Sequence, residues 1–130
     1  MDTIEIRVDP FPGQRELSDL WRATWEIDGV ADFQSVLTRS LTHVAAYLNT
    51  QVIGFANMAW DGGVHAFLVD VCVHPDYRDL GIGQSMVQKA IAIAHKRGIA
   101  KIHVDFEPHL REFYLSCGFT PTDAGVLTIQ

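Results

Sequence analysis

Arg78, Gly81 and Gly83 form an Arg-x-x-Gly-x-Gly run that opens an amphipathic stretch from Ile82 to Arg97. An apolar stretch ending at Val73 and a polar turn, His74-Pro75-Asp76-Tyr77, precede it. Strand, turn, glycine loop and helix in that order aim unpaired backbone N–H groups and the positive end of a helix dipole at one point, where a phosphate or pyrophosphate is held. Arg78 adds a fixed positive charge there. Gly81 and Gly83 lack Cβ atoms, so an anion can approach the main chain closely.

The elements needed to position this loop can be read from spacing. Ile4, Ile6 and Val8 alternate with polar residues as a half-buried strand stopped by Pro10 and Pro12. Leu17, Leu20, Trp21, Thr24 and Trp25 have helical spacing, and Phe33, Val36, Leu37, Ser40 and Leu41 repeat it behind Asp32 as cap. Strands are expected from His43 to Leu48 and from Val52 to Trp60, joined by a hairpin at Asn49-Thr50-Gln51. The almost wholly apolar run from His65 to Val73 predicts a central strand covered on both faces. A helix from Ile82 to Arg97, closed by Gly98, then leads to a strand from Lys101 to Phe106, a right-handed βαβ crossover. Pro108 opens a short helix carrying Leu110, Phe113, Tyr114 and Cys117 on one face, and Val126 to Ile129 reads as a last strand. The fold class is α/β, a single domain over residues 1–130, with a mixed, mostly antiparallel sheet and helices on both faces.

Competing chemistries fit less well. Asp105 falls near the place of a ribose-binding carboxylate, yet Met86 stands where a dinucleotide loop needs its third glycine, and a Walker A loop is absent. His103, Asp105, Glu107 and His109 alternate like a ligand set, but the second His lies too close and beyond Pro108, so a polar strand face is the better reading and no metal is expected. A formal charge of -6 without a basic stripe argues against nucleic acid. No long apolar run or basic leader suggests a membrane, and Cys72 and Cys117 suit buried, reduced thiols, so a cytoplasmic location is expected.

Val-x-Val-His-Pro-x-Tyr-Arg-x-x-Gly-Ile-Gly, followed by Phe113-Tyr114-x-x-x-Gly118-Phe119, resembles the GNAT superfamily of acetyl-CoA-dependent N-acetyltransferases. The resemblance runs from Asp70 to Phe119 and is supported by element order elsewhere. It implies that Arg78, Asp79, Leu80, Gly81, Ile82 and Gly83, with Ser85, hold the coenzyme A pyrophosphate, and that Val71, Cys72 and Val73 lend backbone groups to the pantetheine arm. It also implies that Tyr114 protonates the departing thiolate. The chemistry asks for such parts: an amine attacks a thioester, the oxyanion needs a donor, and a thiolate leaves better when an acid protonates it.

The chain departs from the family in two places. Glu107 stands where many members have an Asn, and the central strand carries Phe67 and Val69 at acceptor-facing positions where a basic Glu is usual. Asp70, His65, Asp105, Glu26 or a water chain remain to take the amine proton, with Asp70 as the candidate base. Trp21, Trp25, Glu26, Phe33 and Asp105 are the candidate acceptor residues, because the first two helices of such folds border that site. Asp70-Val71-Cys72-Val73 and Glu112-Phe113-Tyr114 locally resemble the glucosamine-phosphate branch without defining the amine. With only Thr120 to Gly125 between Phe119 and the last strand, the acceptor site is expected to be open or walled by a second subunit, as in a homodimer. The implied activity is acetyl transfer to a small-molecule or peptide amine; the alternative is a non-catalytic acyl-CoA sensor.

Overall fold

The computed structural model describes residues 3–129. In chain order it contains β1 (Ile4–Val8), α1 (Gln14–Trp25), α2 (Phe33–Arg39), β2 (Thr42–Leu48), β3 (Gln51–Trp60), β4 (His65–Val73), α3 (Ile82–Lys96), β5 (Lys101–His103) and α4 (Arg111–Ser116). The strands form one sheet in the order β1-β2-β3-β4-β5. All neighbours are antiparallel except β4 and β5, the parallel pair that α3 connects.

Alternation along the inner strands builds two cores, one on each face. Val44, Ala46, Ile53, Ala56, Met58, Ala66 and Leu68 pack against Ile82, Met86, Val87, Ala90 and Ala94 of α3. The opposite face sets Ala45, Tyr47, Val52, Phe55 and Cys72 against Leu17, Leu20 and Trp21 of α1 and Phe33 and Leu37 of α2. Gly54 lets α3 approach closely, since a Cβ there would lie 2.9 Å from the Met86 Cε. Two helices are capped at their starts: Glu16 accepts a hydrogen bond from the Gly13 N–H at the start of α1, and Asp32 accepts one from the Ser35 N–H at the start of α2.

One irregularity shapes the site. Phe55 pairs with Cys72 and Asn57 with Val69, so two steps on β3 match three on β4, and Asp70 takes a left-handed φ of 56°. This β-bulge reverses the alternation. Ala66 and Leu68 face α3 before it, whereas Cys72 beyond it faces α1. The bend also parts β4 from β5, whose pairing covers only His65 to Phe67 against Lys101 to His103.

Three expectations are corrected. The strand after α3 ends at His103 rather than Phe106, because its one partner turns away at the bulge. Residues 126–129 form no strand: β5 is a short template, and Pro121 interrupts the approach without an N–H to donate. β4 is not covered on both faces, since Phe67 and Asp70 are exposed although their neighbours Ala66 and Leu68 are buried.

A polar clip ties the N-terminal loop to both β2 and α3. The Asp9 carboxylate accepts hydrogen bonds from the Thr42 hydroxyl (2.8 Å) and the His43 N–H (2.9 Å) and pairs with Arg97 at 3.4 Å. The buried His43 ring accepts a hydrogen bond from the Phe11 N–H at 2.9 Å through Nε2, which leaves Nδ1 to carry its proton.

Candidate functional site

The splayed end of the sheet opens into a cleft of about 490 Å³. Val71, Cys72 and Val73 of β4 form its floor, and Tyr77, Arg78, Asp79, Gly81, Ile82, Gly83 and Gln84 form one end. Thr24 and Trp25 of α1 close one side, with His109, Leu110, Phe113 and Tyr114 on the other.

At the loop end, Gly81 caps α3 with φ 77° and supplies no side-chain acceptor. The first bond into the helix runs from the Ser85 N–H to the Gly81 carbonyl, so the N–H groups of Ile82, Gly83 and Gln84 precede any intrahelical partner. Arg78 donates from Nε to the Val73 carbonyl at 3.2 Å, which orients the guanidinium and leaves its two terminal nitrogens for an anion. A Cβ at Gly83 would meet the Phe113 Cζ at 3.3 Å, so the loop and α4 come together at a glycine. This donor set fits a pyrophosphate. Asp79, at φ 63°, belongs to the turn itself.

On the α4 side of the cleft, Tyr114 is only 6% exposed. Phe106 stacks on its ring at 5.0 Å, and Phe113 and Phe119 meet it edge-on at 4.9 and 5.9 Å. Three rings therefore fix the direction of the hydroxyl. Burial, with the nearby Cys117 and Asp105, pushes its pKa up to about 12, so the proton stays on the oxygen throughout the neutral range. Asp70 keeps solvent access at the bulge, yet the protein mass around it desolvates the carboxyl and raises its pKa above the ordinary aspartate value. Burial pushes the Cys72 thiol up to about 12, which makes it an inert wall rather than a nucleophile. The Thr24 Oγ1 is buried on the cleft wall, with the weakly hydrogen-bonding Cys72 thiol as a polar neighbour.

Most of the expected coenzyme residues thus meet in one place: Val71, Cys72, Val73, Arg78, Asp79, Gly81, Ile82 and Gly83, with Tyr114 facing them. Leu80 and Ser85 point to solvent instead. Of the acceptor candidates, Trp25 lines the cleft and Glu26 ends α1 beside it in a left-handed conformation, φ 61°. Trp21 and Phe33 are core residues that pack against each other at 4.8 Å. Asp105 lines a neighbouring cavity of about 920 Å³ between the end of α3, β5 and residues 118–124. That cavity is larger but has neither the helix N-terminus nor Arg78. Thr24, Tyr77, Gln84, His109, Leu110 and Phe113 were not singled out as site residues from the sequence. Leu110 and Phe113 could have been, as they share the helix face of Tyr114; the Asp70 bulge has no signal short of the paired strands.

The mixed sheet, splayed at a bulge, thus brings a helix start suited to an anion and a buried tyrosine to one cleft. The sequence model of the Acetyltransferase (GNAT) family matches residues 2–119, and the chain belongs to that family. The uncharacterized N-acetyltransferase ycf52 of Pyropia yezoensis is 33% identical over 78 residues, 60% of this chain and 45% of that protein. The chain thus spans under half of that relative's length. A probable acetyltransferase of meticillin-resistant Staphylococcus aureus superposes with a TM-score of 0.83 at 18% identity, covering 98% of this chain and 99% of the other. The aminoglycoside N-acetyltransferase AAC(6')-Iy in complex with CoA superposes with a TM-score of 0.79 at 18% identity over 100% of this chain and 96% of that one. Among the described residues no helix is long and apolar enough to cross a membrane.

Proposed function

We propose that this protein transfers acetyl from acetyl-CoA to a small-molecule or peptide primary amine by direct attack in a ternary complex. The observation that carries the reading is one cleft lined both by Arg78 and the start of α3 and by Tyr114. Acetyl-CoA supplies the activated acyl group. Arg78 and the N–H groups of Ile82, Gly83 and Gln84 hold its pyrophosphate, and the backbone of Val71 to Val73 aligns the arm along β4. Asp70 takes a proton from the incoming ammonium, and its raised pKa makes it a stronger base than an ordinary aspartate. Tyr114 donates its proton to the sulfur as the carbon–sulfur bond breaks.

A second copy of the chain walls the open side of the acceptor face, a reading supported by the exposed Val126, Leu127 and Ile129 of the tail. The two free, buried cysteines favour the cytoplasm. Turnover of acetyl-CoA across a panel of primary amines, with free coenzyme A and acetylated product both measured, tests the reaction. Acetylation of no amine despite coenzyme A binding would leave a non-catalytic sensor as the better reading.

A further inference from the structure

Before the bulge, Ala66 and Leu68 point into the α3 core, so His65, Phe67 and Val69 point to the other face of the sheet. The helices α1 and α2 cover that face over β2 and β3, but the core they build includes nothing from β5 or from β4 before the bulge. What lies there is aromatic and open. Register sets Phe67 beside His103, and the two rings stack at 5.0 Å with an interplanar angle of 19°. The Nε2 of His103 is 3.0 Å from the Nδ1 of His65, a hydrogen bond that holds the imidazole in place. Phe67 remains 38% exposed. Followed past the bulge, the same face leads to Cys72 in the cleft, beside Trp25, which is 40% exposed.

A partly exposed phenyl ring stacked on one imidazole, which a second imidazole holds in place, does not complete a core, and leaving it in water costs free energy that a ligand can recover. Charge narrows the ligand further. Asp70 and Glu26 each adjoin in the chain a residue that lines the cleft, Val71 and Trp25, Asp105 lies two residues beyond His103, and Lys101 stands beside His65 at the far end. The surface thus combines a stacked, partly exposed aromatic pair with carboxylates next to cleft residues. We infer that the acceptor is an arylalkylamine, its ring stacked on Phe67 and its ammonium directed past the bulge toward Asp70. This rests on the acetyl-transfer reading for the role of the bound amine, and Phe67 is its specificity-determining residue. An aromatic ring stacks on such a platform where a puckered ring of similar size cannot.

The test is calorimetric titration of the coenzyme A-saturated protein with 2-phenylethylamine and with 2-cyclohexylethylamine, which share charge and chain length. Stacking predicts that the phenyl compound binds about two- to tenfold more tightly. Phe67→Leu, which keeps apolar bulk at a partly exposed position, brings the ratio to about one, while Phe67→Trp restores it. Coenzyme A affinity stays as in the unsubstituted protein, which shows that the variants fold. Equal affinities in the unsubstituted protein, or a preference that survives Phe67→Leu, overturn the inference. Acetylation of aliphatic amines without ring preference would also end it but leave the transferase reading intact. Ring-selective binding with no amine acetylated would do the reverse.

Discussion

Tyr114→Phe removes one oxygen from a ring that three other rings hold in place, so it separates chemistry from packing. No protein hydrogen bond to that hydroxyl is found among the described residues, so its loss costs the free protein under about 1 kcal/mol, a few degrees in Tm. The catalytic effect is larger. Loss of a positioned general acid lowers kcat by roughly 10²- to 10⁴-fold, with the KM for acetyl-CoA little changed because Arg78 and the start of α3, rather than Tyr114, hold the pyrophosphate. A second signature follows from the raised pKa. The folded value is about 12, above the 10.0 of an ordinary tyrosine, so the folded state holds the proton more tightly. The corresponding stability is fully present below pH 10 and is lost as pH rises from 10 to 12, about 3 kcal/mol in all. Tyr114→Phe has no such ionisation and loses less stability than the unsubstituted protein over that window. Steady-state kinetics with chemistry shown to be rate-limiting, together with denaturant melts at pH 9 to 12, measure both effects. A variant with full kcat, or one whose alkaline stability loss matches that of the unsubstituted protein, would refute the reasoning.

Three other outcomes are expected. Arg78→Gln keeps the bond to the Val73 carbonyl within reach but removes the charge, so coenzyme A should bind about tenfold more weakly and with a smaller salt dependence, by titration at two ionic strengths. Thr24→Val replaces a buried hydroxyl, whose polar neighbour is only a weakly bonding thiol, with a methyl group, so the free protein should change by less than about 1 kcal/mol while coenzyme A affinity falls; a large loss of Tm would contradict this. Acid should destabilise the protein in two steps. Burial depresses the His43 pKa despite Asp9, so the unfolded chain takes up that proton first and stability falls below about pH 6.5. For Asp9, burial works upward but hydrogen bonds from His43 and Thr42 outweigh it, so its lowered pKa adds a loss below about pH 3.8. Asp70, with its pKa raised by burial, acts in the opposite sense and softens the first part of the acid decline. His43→Asn should flatten the melting temperature between pH 7 and 5.

Local physics made much of this protein readable in advance. The anion loop could be read because a helix start, two glycines and Arg78 act over a few adjacent residues, and their spacing is written directly in the chain. The same is true of α1, α2 and α3, whose apolar periodicity predicts the buried face. Tyr114 was legible through its place before Gly118 and Phe119, but its hydroxyl direction depends on Phe106, a residue from another element. What the tertiary structure alone decided lies at β4. A nine-residue, mostly apolar strand looks covered on both faces, because alternation is counted along one strand while a bulge arises from pairing between two. The extra residue at Asp70 reverses which side chains face α3, parts β4 from β5, shortens β5 to three residues and leaves Phe67 and His103 stacked in the open. Register is a property of neighbours, so the cleft and the platform beside it exist only once the strands have met.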